Sequence, residues 1–164
     1  MEVGVLVNMF KRLGMATVNR FEDLEIWKLA REQANEVYQL TRLKDLSTDF
    51  ALKDQLNKSA GSVMDNIAEG FDRYSNKEFS QFLIIAKASN AEVRSQLYRA
   101  YDRNYISEQI LSSRLAFSKT IGTKIKALID YLHSTKIKTK PIKQKPPTPN
   151  LPTSNPQPPT LTTP

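Results

Sequence analysis

The chain contains no cysteine and a single histidine, His133, and no proline before Pro141. The missing cysteines exclude a disulfide scaffold, a thiolate zinc site and a thiol nucleophile. One histidine excludes any centre that needs two, including the paired Glu-x-x-His di-iron bundle. No run of about 20 apolar residues occurs, so no transmembrane helix is expected. The apolar run from Val3 to Phe10 is short, follows Glu2 and lacks a basic flank and a small-residue cleavage site, so no signal peptide is expected. The expectation is a soluble, cytoplasmic protein without cofactor or metal and with no membrane partner.

What is present divides the 164 residues into three parts. Residues 21–135 carry sixteen basic and sixteen acidic side chains and no net charge. The net charge of +7 therefore comes from the ends. Residues 1–20 form a short extension expected to be poorly ordered. Residues 136–164 begin with Lys136, Lys138, Lys140, Lys143 and Lys145 and then turn to Pro, Thr, Asn and Gln. Such a composition cannot bury enough apolar surface to offset its ordering entropy, and it reads as a disordered tail with polyproline II character. Lys143-x-x-Pro146-x-x-Pro149 fits a basic proline-rich ligand pattern, though a plain solvated tail has the same composition.

The middle part shows the 3.6-residue period of four helices. The first is expected over about 22–43, with Leu24, Trp27, Ala30 or Arg31, Ala34, Val37, Tyr38 and Thr41 inward. The second is expected over about 49–69, striped by Leu52, Leu56, Ala60, Val63 and Ile67, with Gly70 as C-terminal cap. The third opens on a capping box, Ser75 to Glu78, flanked by Tyr74 and Phe79 as a hydrophobic staple. It continues through Phe79, Phe82, Ala86, Val93, Leu97 and Ala100 to about Arg103, with Asn104 as exit. The fourth begins after Ser107 and runs to about Ser134, lined by Ile110 or Leu111, Leu115, Ile121, Ile125, Leu128, Ile129 and Leu132. Rods of roughly 30–40 Å joined by short connections make an all-α, antiparallel up-down four-helix bundle.

Two polar ladders run beside the apolar stripes. On the second helix Gln55, Ser59, Ser62, Asn66 and Glu69 recur three or four residues apart. On the third, Ser89, Glu92, Gln96, Arg99 and Arg103 do the same. Such strips are consistent with solvated flanks, with a hydrogen-bonded seam inside the bundle or between protomers, or with a ligand surface. In a seam, Glu69 and Glu92 are placed to pair with Arg99, Arg103 or Lys58.

These residues also carry a resemblance. Ser62 followed by Asn66-Ile67-Ala68-Glu69-Gly70, with Gln55-Leu56-Asn57-Lys58, Lys77-Glu78-Phe79, the run from Phe82 to Val93 and Gln96-Leu97, resembles the four-helix-bundle proteins named for 23S rRNA intervening sequences. Leu24-Glu25-Ile26-Trp27 and the run from Val37 to Thr41 are similar to that family's first helix. The resemblance covers about residues 21–130. Lys58 stands where arginine is usual, Ala88 where glycine is usual, and the usual Pro-x-x-Glu is missing around Phe50. Relatives include accessory proteins of diversity-generating retroelements. The resemblance implies a homopentamer, no enzymatic activity, and association with nucleic acid or with a reverse transcriptase partner.

Two functions follow as expectations. The first is a non-enzymatic oligomer that holds RNA or DNA by its phosphates, through Lys119, Lys124 and Lys126, with Arg99 and Arg103, and with Lys136, Lys138 and Lys140 adding affinity. No recognition-helix motif, zinc finger or RNA-binding aromatic pair supports base-specific readout. The second is a protein-interaction scaffold that displays the proline-rich tail. An enzyme is disfavoured: Asp130 and His133 share a helix face, but no second histidine completes a metal site, and a Glu69–Glu92 pair has no nucleophile or phosphate loop beside it.

Overall fold

A computed structural model describes residues 18–73 and 75–134. The staple residue Tyr74, the N-terminal extension and the whole tail, with Lys136, Lys138 and Lys140, lie outside the described residues. A 3-10 turn at Phe21–Asp23 leads into α1 (Glu25–Leu40). Then come a single-turn helix α2 (Lys44–Thr48), α3 (Phe50–Phe71), α4 (Asn76–Asp102) and α5 (Glu108–Ser134). The four long helices form an antiparallel up-down bundle: α1 and α4 each pack on both α3 and α5.

Local chemistry sets the helix ends. Asp49 caps α3, its carboxylate accepting the Leu52 amide at 3.1 Å. At α4 the Ser75 hydroxyl accepts the Glu78 amide at 3.2 Å and donates to the Glu78 carboxylate at 2.7 Å, so the reciprocal bond reaches the hydroxyl. The end of α4 is a Schellman motif: the Tyr105 and Asn104 amides return to the Ala100 and Tyr101 carbonyls at 2.9 and 2.8 Å. Asn104 supplies the left-handed residue this requires, at φ 60°. Ser107 caps α5, accepting the Ile110 amide at 3.3 Å.

Three local expectations are corrected by packing. Gly70 is not a cap but lies inside α3, which ends at Phe71. A methyl group there would stand 2.6 Å from Phe82 Cβ and 2.9 Å from Phe79 Cδ2, so the glycine lets α4 approach. The first helix ends at Leu40 rather than Leu43. Its buried face is Ile26, Ala30, Gln33 and Val37, while Tyr38 is 52% exposed. The connection then forms α2, whose Leu46 is fully buried against the end of the bundle.

The core has two apolar clusters. One gathers Leu24, Ile26, Ile67, Leu83, Ile121 and Ile125 near the start of α1. The other gathers Val37, Leu46, Leu56, Val93, Leu97 and Leu111 at the opposite end. Burying each such side chain contributes about 1.5–3 kcal/mol. Gln33 of α1 falls in sequence between the two clusters and is buried with neither amide atom bonded.

Candidate nucleic-acid interface

The two ladders face each other along α3 and α4 within one chain. Ser59 donates to the Gln96 side-chain oxygen at 2.6 Å, Ser62 and Ser89 share a hydrogen bond at 2.9 Å, and Arg99 donates to Gln55 at 2.6 Å. Asn66 donates back to Ser62. The expected charge pairs across the seam are replaced by others. Arg103 bonds Asp49, Glu69 bonds Arg73 one turn on, and Lys58 pairs with Asp54. Glu92 is exposed and holds no ion pair among the described residues. The Leu52 amide first, and then Arg103, hold the Asp49 carboxyl below its usual range, against the opposing effect of desolvation.

On its other side α4 meets α5 by a different device. The buried Asn90 amide donates to the Ser118 carbonyl at 2.8 Å, and the Ser118 hydroxyl donates to the Asn90 side-chain oxygen at 2.8 Å. One turn on, Gly122 has no side chain to push Asn90 away; a methyl there would lie 3.2 Å from its Nδ2. Ala88 and Ala91 beside it carry no more than a methyl group. The two helices therefore touch at their inner edges and leave an open groove of about 520 Å³ above the contact.

The groove is one-signed. Lys87 and Arg94 come from α4 and Lys119 and Lys126 from α5, with Ser118, Asn90 and Thr123 adding neutral polar groups. No carboxylate lines it. Lys126 pairs with Asp130 at 2.5 Å, but both are 59% exposed, and such a pair contributes little in water. Among the described residues Lys87, Arg94 and Lys119 hold no ion pair and no side-chain hydrogen bond. A cleft that concentrates uncompensated cations attracts phosphate.

The structure thus separates the residues singled out from sequence. Lys119 and Lys126 line the groove. Lys124 points elsewhere, paired with Glu25 of α1 at 2.9 Å. Arg99 and Arg103 belong to the seam with α3. Lys87 and Arg94 were missed; their seven-residue spacing on one face of the third helix was the available signal, but only the docking of α5 beside them makes a site. His133 bonds the buried Ser80 hydroxyl at 2.5 Å, and no group of three potential metal ligands forms among the described residues.

A family model for the 23S rRNA-intervening sequence protein matches residues 22–127. The chain belongs to this family. Among solved structures, a protein of unknown function from the S23 ribosomal protein family of Bacteroides thetaiotaomicron is similar at 21% identity and a TM-score of 0.58. The similarity covers 63% of this chain and 97% of that one, and shows that the fold is shared. No curated protein matches. The family match spans the described bundle from the first turn almost to the end of α5, so seam and groove both lie within the 23S rRNA-intervening sequence protein region. No helix among the described residues is long and apolar enough to cross a membrane.

Proposed function

We propose that this family member is a non-enzymatic bundle that holds nucleic acid by its phosphates in the groove between α4 and α5. The observation that carries the reading is the concentration of Lys87, Arg94, Lys119 and Lys126 in one cleft that no carboxylate lines. The neutral groups beside them suit phosphate and sugar oxygens, while the groove itself offers no aromatic ring and no array for reading base edges. In a homopentamer, as the resemblance implies, five such grooves would act together and steepen the salt dependence. The half-exposed Ile85 on α4 supports a face that another copy can cover.

The test is a fluorescence anisotropy titration of full-length chain and of a chain ending at Thr135 with labelled RNA and DNA at two salt concentrations. Affinity should fall steeply with salt, with a slope near one per phosphate held. That slope should persist without the tail. Binding that vanishes with the tail would overturn the groove as the site.

A further inference from the structure

The basic strip on α4 does not stop at Arg94. Lys87, Ala91, Arg94, Tyr98 and Tyr101 recur at spacings of four, three, four and three, so they share one side of the helix. The strip is about 21 Å long at 1.5 Å per residue, the scale of a few nucleotides. Tyr98 is 51% and Tyr101 37% exposed. Among the described residues neither side chain makes a hydrogen bond or a ring contact within the chain. The cations thus occupy one end of the strip and two exposed tyrosines the other. Asp102, one turn beyond Tyr98, disfavours phosphate at the aromatic end.

We infer that this strip takes single-stranded nucleic acid, with phosphates on the groove cations and successive unpaired bases stacked on Tyr98 and Tyr101. The inference rests on the phosphate-binding reading above and names its substrate class. A charged track beside aromatic platforms is the arrangement that holds single strands without sequence preference, because every base has a π-face. A duplex keeps its bases stacked on one another and offers these rings nothing. The cations alone would serve either form, so the tyrosines are what distinguish them.

The experiment compares full-length chain, the Tyr98→Ala/Tyr101→Ala variant, the Tyr98→Phe/Tyr101→Phe variant and the Lys87→Ala/Arg94→Ala variant. The probes are a labelled 20-nucleotide oligouridine and a 20-base-pair RNA duplex. The alanine pair should weaken oligouridine binding about tenfold or more and leave duplex binding within about twofold, because stacking is lost and phosphate contact kept. The phenylalanine pair keeps the ring faces and should bind oligouridine like the unaltered chain. An alanine pair that binds oligouridine normally, or weakens both probes alike, overturns the stacking inference, as does a phenylalanine pair as weak as the alanine one. In those cases a loss for both probes on Lys87→Ala/Arg94→Ala leaves the phosphate reading standing. Failure of the unaltered chain to bind either probe overturns both.

Discussion

Ser59 on α3 and Gln96 on α4 are 37 residues apart and meet at 2.6 Å, the serine hydroxyl donating to the amide oxygen, with both side chains buried. Removing one partner leaves the other buried without its bond. Ser59→Ala should therefore cost about 1–3 kcal/mol in urea unfolding, and Gln96→Leu in the Ser59→Ala background should cost less than Gln96→Leu alone. Strictly additive losses would show that the pair is not coupled.

The glycines of α3 predict opposite signs. At Gly70 an added methyl meets Phe82 and Phe79 at under 3 Å, while at Gly61 its nearest neighbour is Asp65 Oδ2 at 3.9 Å. Gly61→Ala should stabilise by up to about 1 kcal/mol through helix propensity. Gly70→Ala should instead destabilise, since overpacking of about 1–3 kcal/mol exceeds that gain. Thermal melts of the two variants check the pair. A rise in Tm for both would remove the close approach of α4 as the reason for Gly70.

Gln33 predicts a stabilising substitution. Both of its amide atoms are buried without a partner. Exchanging it for leucine removes a desolvation cost of about 1–3 kcal/mol at similar volume. Urea unfolding of Gln33→Leu should give a higher midpoint. A lower one would mean that the amide is bonded in solution.

Asp49 predicts an acid-side loss. Its folded pKa lies below the ordinary value, chiefly through the Leu52 amide and then Arg103. The stability it adds is full above the unfolded pKa, near 4, and fades as pH falls through the lower folded value. Glu22, held down first by its bond to Arg20, shifts in the same direction and forms a background common to both chains. In Asp49→Asn, where the amide still caps α3, the advantage of the unaltered chain should shrink as pH falls below about 4. A difference independent of pH would contradict the shift.

Much of this architecture was legible along the chain because it is local. The Ser75–Glu78 box, the Ser107 cap and the Asn104 exit each depend on residues three to five apart, and each has the expected hydrogen bond or backbone angle. The apolar stripes of α3, α4 and α5 were equally clear. What failed depended on neighbours distant in sequence. Gly70 follows an apolar stripe like a cap, yet Phe82 and Phe79 set its role. Tyr38 lies at core spacing, but α1 turns Gln33 inward instead.

The candidate site was legible in part for the same reason. Lys119 and Lys126 stood out on a basic last helix, and so did Lys124, which is turned 100° or more away from its neighbours to reach Glu25. Lys87 and Arg94 do not stand out along the chain because the charge of residues 21–135 sums to zero. Periodicity shows which residues share a helix face. It does not show which helix lies alongside, and the groove exists only where the Asn90–Ser118 contact docks α4 on α5.

The central claim concerns where the charge sits, and one comparison isolates it. The triple variant Lys87→Glu/Arg94→Glu/Lys119→Glu and the triple variant Lys28→Glu/Lys44→Glu/Lys58→Glu change the net charge by the same amount, the second on exposed positions of α1, α2 and α3. Both are titrated with labelled single-stranded RNA at one salt concentration, after circular dichroism shows equal helicity. The groove variant should lose about a hundredfold or more in affinity, and the control variant much less, because short-range phosphate contacts outweigh the screened field of distant charges. Equal losses in the two variants would contradict a site between α4 and α5 and leave only attraction by net charge.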